Sequence, residues 1–153
     1  MDILKRNGTT EPLKLEKISS RIKKLTYGLN ERVDPDIVST KVVSGLYDGV
    51  SSAELDQLSA ETAASMVTVH PDFGKLAARI AITALYKNVP KDFSTVANTL
   101  YNYINPKTGE KAGMISDEVY AVIQKYSNEL DAMIVHDRDF NFDYFGFMTL
   151  RKS

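Results

Sequence analysis

Over residues 2–15 two short apolar runs flank a polar turn, and the pattern then switches to a helical spacing. Ile3 and Leu4 precede Asn7-Gly8, and Leu13 and Leu15 flank Lys14 on the far side. An Asn-Gly pair between short apolar runs is a turn signal, because glycine takes positive φ without steric cost, so this stretch reads as a β-hairpin. A lone hairpin is marginal in water and must pack on something.

From Ile18 onward the pattern is helical. Ile18, Ile22, Leu25 and Leu29 recur at spacings of four, three and four, which places them on one stripe, with Gly28 and Asn30 as stop signals. Asp34-Pro35 opens a second helix, with a capping carboxylate followed by proline at the first helical position. Ile37, Val38, Val42 and Leu46 would form its buried face, and Gly49 its end. Ser51 and Glu54 have capping-box spacing. A third helix follows, with Leu55, Leu58, Thr62 and Met66 on one side, closed by His70-Pro71. DFGKLAARIAITALYK reads as a fourth, with Lys87 in its last turn and Pro90 beyond.

The rest is also helical. Phe93, Val96, Leu100 and Tyr103 mark one helix, and NPKTGEKAGM is a loop. Ser116 caps another, carrying Val119, Ile123, Tyr126, Leu130 and Met133. Asp117 and Glu118 suit its positive end. The final stretch holds Phe140, Phe142, Tyr144, Phe145 and Phe147. So much apolar area is expected to pack against protein beyond residue 153. The expected fold is mainly α with a small N-terminal β-hairpin: a hairpin over four helices in residues 1–90, then helices in 91–153.

Composition narrows the function. The chain has 153 residues, 43% hydrophobic and 25% charged, as in a soluble globular protein. Its 19 basic and 20 acidic side chains give a net charge of −1, against the basic excess of a nucleic-acid binder. There is no cysteine, which excludes disulfides, zinc–thiolate sites and thiyl chemistry within this chain. No apolar run nears the roughly 20 residues that span a bilayer, and no secretory leader is visible, so the reading is cytoplasmic. His136 beside Asp137 and Asp139 is a weak basis for a metal site. The run Asp137-Arg138-Asp139 reads instead as an ion-pair network.

Against this balance, Lys5, Arg6, Lys17 and Arg21 crowd one end of the chain. If the hairpin folds over the first turn of its helix, these cations and the free N–H groups of a helix start form an anion site. A solvated charged face is the plainer alternative.

LKRNGTTEPLKLEKI resembles the opening of the ATP-cone, the nucleotide-sensing domain of ribonucleotide reductases, and the likeness continues through YDGVSSAELDQLSAETAASM and HPDFGKLAARIAITALYK. LYNYINPKTGE and IVHDRDFNFDYFGFMTLRKS are similar to the region before the barrel in the large subunit of the aerobic, eukaryotic-type enzyme. The resemblance implies that a hairpin lid covers ATP (activating) or dATP (inhibiting), with magnesium on the phosphates. Lys5 and Arg6 match lid residues near base and phosphates. Glu11 matches a nucleotide contact, and Lys17 and Ile18 match positions at the first helix start, with Lys17 towards phosphate. Arg21 lies one turn on. Ser52 matches a hydroxyl position, Asp56 an acidic position tied to telling dATP from ATP, and Lys87 a phosphate-binding lysine. Glu16 falls near a surface used in oligomer contacts.

The implied role is overall-activity control in deoxyribonucleotide biosynthesis for DNA replication, coupled to oligomerisation. The implied partners are the rest of the large subunit, other large subunits and the small radical-generating subunit, with no nucleic acid and no membrane. Catalysis would lie outside these residues. The alternative from another class is a helical protein-interaction module with a degenerate nucleotide site.

Overall fold

The computed structural model describes all 153 residues. Their elements, in chain order, are β1 (Asp2–Leu4), β2 (Thr10–Pro12), α1 (Leu15–Lys23), α2 (Pro35–Ser44), β3 (Val50–Ser51), α3 (Ser52–Ser65), α4 (Asp72–Tyr86), α5 (Phe93–Tyr101), α6 (Asp117–Lys125), α7 (Ser127–Met133) and α8 (Tyr144–Lys152). Short 3-10 turns cover Met66–Thr68 and His136–Asn141. The chain forms two compact units, Met1–Lys87 with Asp139–Ser153, and Asn88–Arg138.

In the first unit the hairpin forms where Asn7-Gly8 predicts it. Gly8 N–H donates to the Lys5 carbonyl at 3.0 Å, and Gly8 takes φ 84°, which a side chain would resist. Ile3 pairs with Glu11 across the antiparallel ladder. The return strand ends at Pro12, however, and Leu15 is not a strand residue: it opens α1 and is 45% exposed. Ile18 and Ile22 are buried as expected, but α1 stops at Lys23, and Leu25 and Leu29 pack on the core from the turn that follows.

A third strand was not expected. Val50–Ser51 pairs parallel to β1, giving the sheet order β2-β1-β3. Two residues carry no readable alternation. Gly49 leads into this strand rather than ending α2, which already closes at Gly45. Within α2 the buried side chains are Val38, Ser39 and Val42, while Ile37 is 46% exposed, one position off the stripe.

Caps define the remaining ends. The Asp34 carboxylate accepts from Asp36 N–H ahead of Pro35. Ser51 and Glu54 form the full capping box, and the backbone and side-chain bonds from Ser51 hold the Glu54 carboxyl below its usual range. Helices α3 and α4 make the most extensive helix pair, and α1 packs on α2. Phe73, Leu76 and Ile82 are fully buried at the centre of the core. Small residues such as Ala63, Ala77 and Ala78 let the helices approach closely.

The aromatic tail was expected to face protein beyond residue 153. Part of it packs on the core of its own unit, where α8 meets α4, with Phe147 buried and Phe140, Tyr144 and Met148 partly covered, while Phe142 is 45% exposed. Phe145 stays 63% exposed. No ion pair forms within Asp137-Arg138-Asp139; Asp139 accepts from the Tyr86 hydroxyl at 2.5 Å instead.

In the second unit α5 packs on α6 and α7. Tyr101 and Tyr120 stack at 3.8 Å. The helix expected to run from Ser116 to Met133 is interrupted at Tyr126, whose φ of −111° lies outside the helical range. Ser94 binds the Asp131 carboxylate through both backbone N–H and hydroxyl, so the segment after the break serves α5. Gly113 passes so close to the Tyr101 carbonyl that an added Cβ would lie 2.5 Å from it.

Candidate functional site

The hairpin lies over the N-termini of α1 and α3, and the sequence-predicted residues gather beneath and beside it in the first unit. Asp56, one turn into α3, is only 3% exposed. Three cations from three elements converge on it. Arg6 in the hairpin turn donates to Oδ2 at 3.4 Å, Arg21 of α1 to Oδ1 at 2.5 Å, and Lys87 at the end of α4 to Oδ2 at 3.1 Å. Arg6 also donates to Ser52 Oγ at 3.2 Å, tying the turn to the start of α3.

A second group lies along the hairpin. Glu11 on β2 accepts from Lys5 at 2.9 Å and from Lys17 at 3.3 Å. The Lys5 hydrogen bond holds the Glu11 carboxyl below its ordinary value. The cross-hairpin Glu11–Lys5 pair is present, and it extends onto α1 through Lys17.

Ile18 separates the groups and lines a cavity on each side. The smaller, about 110 Å³, lies under the hairpin and is lined by Lys5, Glu11, Lys17 and Ser52, among others. The larger, about 180 Å³, runs between α1, α3 and α4. Arg21, Asp56 and Lys87 contribute to its wall, with apolar sides from Ile22, Leu55 and Ile80. Burial pushes the Lys87 ammonium below its ordinary value, against the opposing pull of Asp56. An apolar cleft rimmed by cations suits a ligand with one apolar and one anionic end.

Lys5, Arg6, Glu11, Lys17, Ile18, Arg21, Ser52, Asp56 and Lys87 thus fall in one region. Ser59 and Thr83, which reasoning along the chain missed, also line the larger cavity, as does Lys24, whose spacing puts it on the same helical face as Lys17 and Arg21. Helical spacing could have found the two missed residues, since Ser59 follows Asp56 by three and Thr83 precedes Lys87 by four. Glu16 lines an open groove with Lys17, Ser20, Arg21 and Lys24. No three His, Asp or Glu side chains gather in a metal-ligating group. No helix is long and apolar enough to cross a membrane.

The chain belongs to the ATP cone family, whose domain matches residues 1–88. The likeness extends over the whole chain. It is 53% identical over 152 residues to the ribonucleoside-diphosphate reductase large subunit of Caenorhabditis elegans, covering 99% of this chain and 19% of that protein. It is 49% identical over 154 residues to the corresponding large chain of Schizosaccharomyces pombe, with 100% and 19% covered. Vaccinia virus has a large subunit 47% identical over 154 residues, with 100% and 20% covered. The chain spans about one fifth of the length of these relatives.

Proposed function

We propose that residues 1–88 are the overall-activity sensor of a ribonucleotide reductase large subunit, binding ATP as activator and dATP as inhibitor. The observation that carries this reading is the Asp56 cluster. Arg6, Arg21 and Lys87 meet there beside an apolar cavity, so a phosphate chain has cations from the hairpin, α1 and α4 within reach. Lys5, Arg6, Glu11, Lys17, Ile18, Arg21, Ser52, Asp56 and Lys87 form the proposed site. Magnesium would arrive on the phosphates, because it keeps several waters and prefers phosphate oxygens.

Binding rearranges charge. A phosphate competing with Asp56 for guanidinium and ammonium groups loosens the bond from Arg6 to α3 and recruits the lid to the ligand. ATP and dATP differ by one hydroxyl, so any difference in output requires different affinities for the competing assemblies. A coupling of about 1–3 kcal/mol is enough for such control. In the parent protein this control acts on oligomerisation of large subunits and on their work with the small radical-generating subunit, in the cytoplasm. The chain itself contains no cysteine, so thiyl and dithiol steps of ribonucleoside diphosphate reduction fall to other parts of the parent.

Titration calorimetry with ATP and with dATP in magnesium buffer tests the reading. Saturable binding that Lys87→Ala weakens and Asp56→Asn alters in its ATP-to-dATP preference supports it. A folded chain that binds neither nucleotide refutes it and favours the helical interaction module.

A further inference from the structure

The larger cavity has walls that are held together by polar bonds. Helix α1 packs on α2, and α4 packs on α3, so the face of α1 carrying Arg21 and the face of α4 carrying Lys87 meet across open space. At the mouth, Asp56 joins them by binding both cations. At the other end, Arg79 joins them. Its Nη1 donates to the Leu25 carbonyl at 2.7 Å and to the Tyr27 carbonyl at 2.8 Å, and its guanidinium carbon lies 4.0 Å from the centre of the Tyr27 ring.

Those carbonyls lie just past the C-terminus of α1, where partial negative charge accumulates and lacks intrahelical donors. Arg79, Thr83 and Lys87 recur at intervals of four along α4, so the clamp and the phosphate-side lysine share one face. Leu25, whose carbonyl is gripped, itself lines the cavity. The clamp is held although Arg79 Nε is buried without a hydrogen-bond partner, an arrangement that costs stability.

Resting on the nucleotide reading above, we infer that Arg79 is a positioning residue for the effector site: by holding the end of α1 to α4, it fixes Arg21 at the spacing from Lys87 that a phosphate shared between them requires. It acts through Arg21 and touches no ligand. Both carbonyl bonds leave one nitrogen, which a lysine ammonium can imitate, but lysine lacks the planar guanidinium that lies over the Tyr27 ring.

The test is a double-mutant cycle read by ATP titration at a temperature where each variant is folded by circular dichroism. Arg79→Met is expected to weaken ATP binding roughly tenfold, the scale of one lost charge-assisted contact, with Arg79→Lys intermediate. In an Arg21→Ala background the Arg79→Met loss should shrink to less than about twofold, while in a Lys5→Ala background it should persist in full. A general loosening of the fold would instead weaken binding equally in both backgrounds, and that result overturns the inference. So does an Arg79→Met variant that binds like the parent chain, which leaves the nucleotide site standing. Failure of the unsubstituted chain to bind ATP overturns the site and the inference with it.

Discussion

Lys87 Nζ lies 3.1 Å from Asp56 Oδ2, joining the last turn of α4 to the first turns of α3 across 31 residues of sequence. Asp56 is the only carboxylate bonded to Arg6, Arg21 and Lys87 together. Asp56→Asn would leave three cations gathered on a neutral amide. Because those cations are a third to a half exposed, the loss is expected to be about 1–3 kcal/mol, below that of breaking a fully buried pair. Urea unfolding should show the deficit at low ionic strength and a smaller one in high salt, where repulsion among the cations is screened.

Lys87 should give nucleotide binding a pH dependence on the alkaline side. Burial lowers its value below 10.5. A bound phosphate favours the charged form, so binding takes up a proton once Lys87 begins to lose its own. Affinity should be level around neutrality and fall as pH rises through the lowered value, earlier than an ordinary lysine would cause. For folding the sign is opposite: between the lowered value and 10.5 the unfolded chain binds more protons, so this group adds stability as pH rises. Calorimetry across the alkaline range, compared with Lys87→Arg, checks the binding arm; the variant should stay level.

Glu11 ties the hairpin to α1 through its pairs with Lys5 and Lys17, which sets an acid limit. Its lowered value comes first from the Lys5 hydrogen bond, so its contribution to folding is complete above about 4.5 and is lost as pH falls through the lowered value. Hairpin amides should exchange faster in that acid window than core amides do. Glu11→Gln should exchange at the fast rate at neutral pH as well.

Gly8→Val should strain the turn, since Gly8 has φ 84° and a β-branched side chain resists that region. A loss of about 1–2 kcal/mol is expected, seen as weaker amide protection in residues 2–12.

Phe73→Ala should cost about 3–5 kcal/mol, because a fully buried aromatic leaves a cavity the surrounding helices cannot close. Phe147→Ala should cost less, its site being at the edge of the core where α8 meets α4. Chemical denaturation of the two variants side by side gives the ranking.

The parts of this fold most legible in the sequence are those set by local chemistry. Asn7-Gly8, Asp34-Pro35, Ser51 with Glu54, and Ser116 each mark an end that forms where the residue types require it. The parts that were not legible depend on distant partners. Val50–Ser51 becomes a strand only because β1 lies beside it. Ile37 has the composition of a core residue but the angular position of a surface one. The aromatic tail read as apolar correctly, yet its partner, α4, lies some sixty residues earlier in the chain. For the site, residue types and resemblance gathered Lys5, Arg6, Glu11, Lys17, Arg21, Asp56 and Lys87 in advance. Arg79 gave no such signal, because its partners are backbone carbonyls, which every residue has.

The two-residue strand β3 has a mechanical consequence. Ser51 pairs with Leu4 of the lid and is also the N-cap of α3. The flap and the helix bearing Asp56 therefore share an axle, and the flap cannot lift away as a free arm. The hairpin is tied to α3 twice, by the β1–β3 pairing and by the bonds from Arg6 to Ser52 and Asp56. Any torque on that pairing passes directly into the first turn of α3.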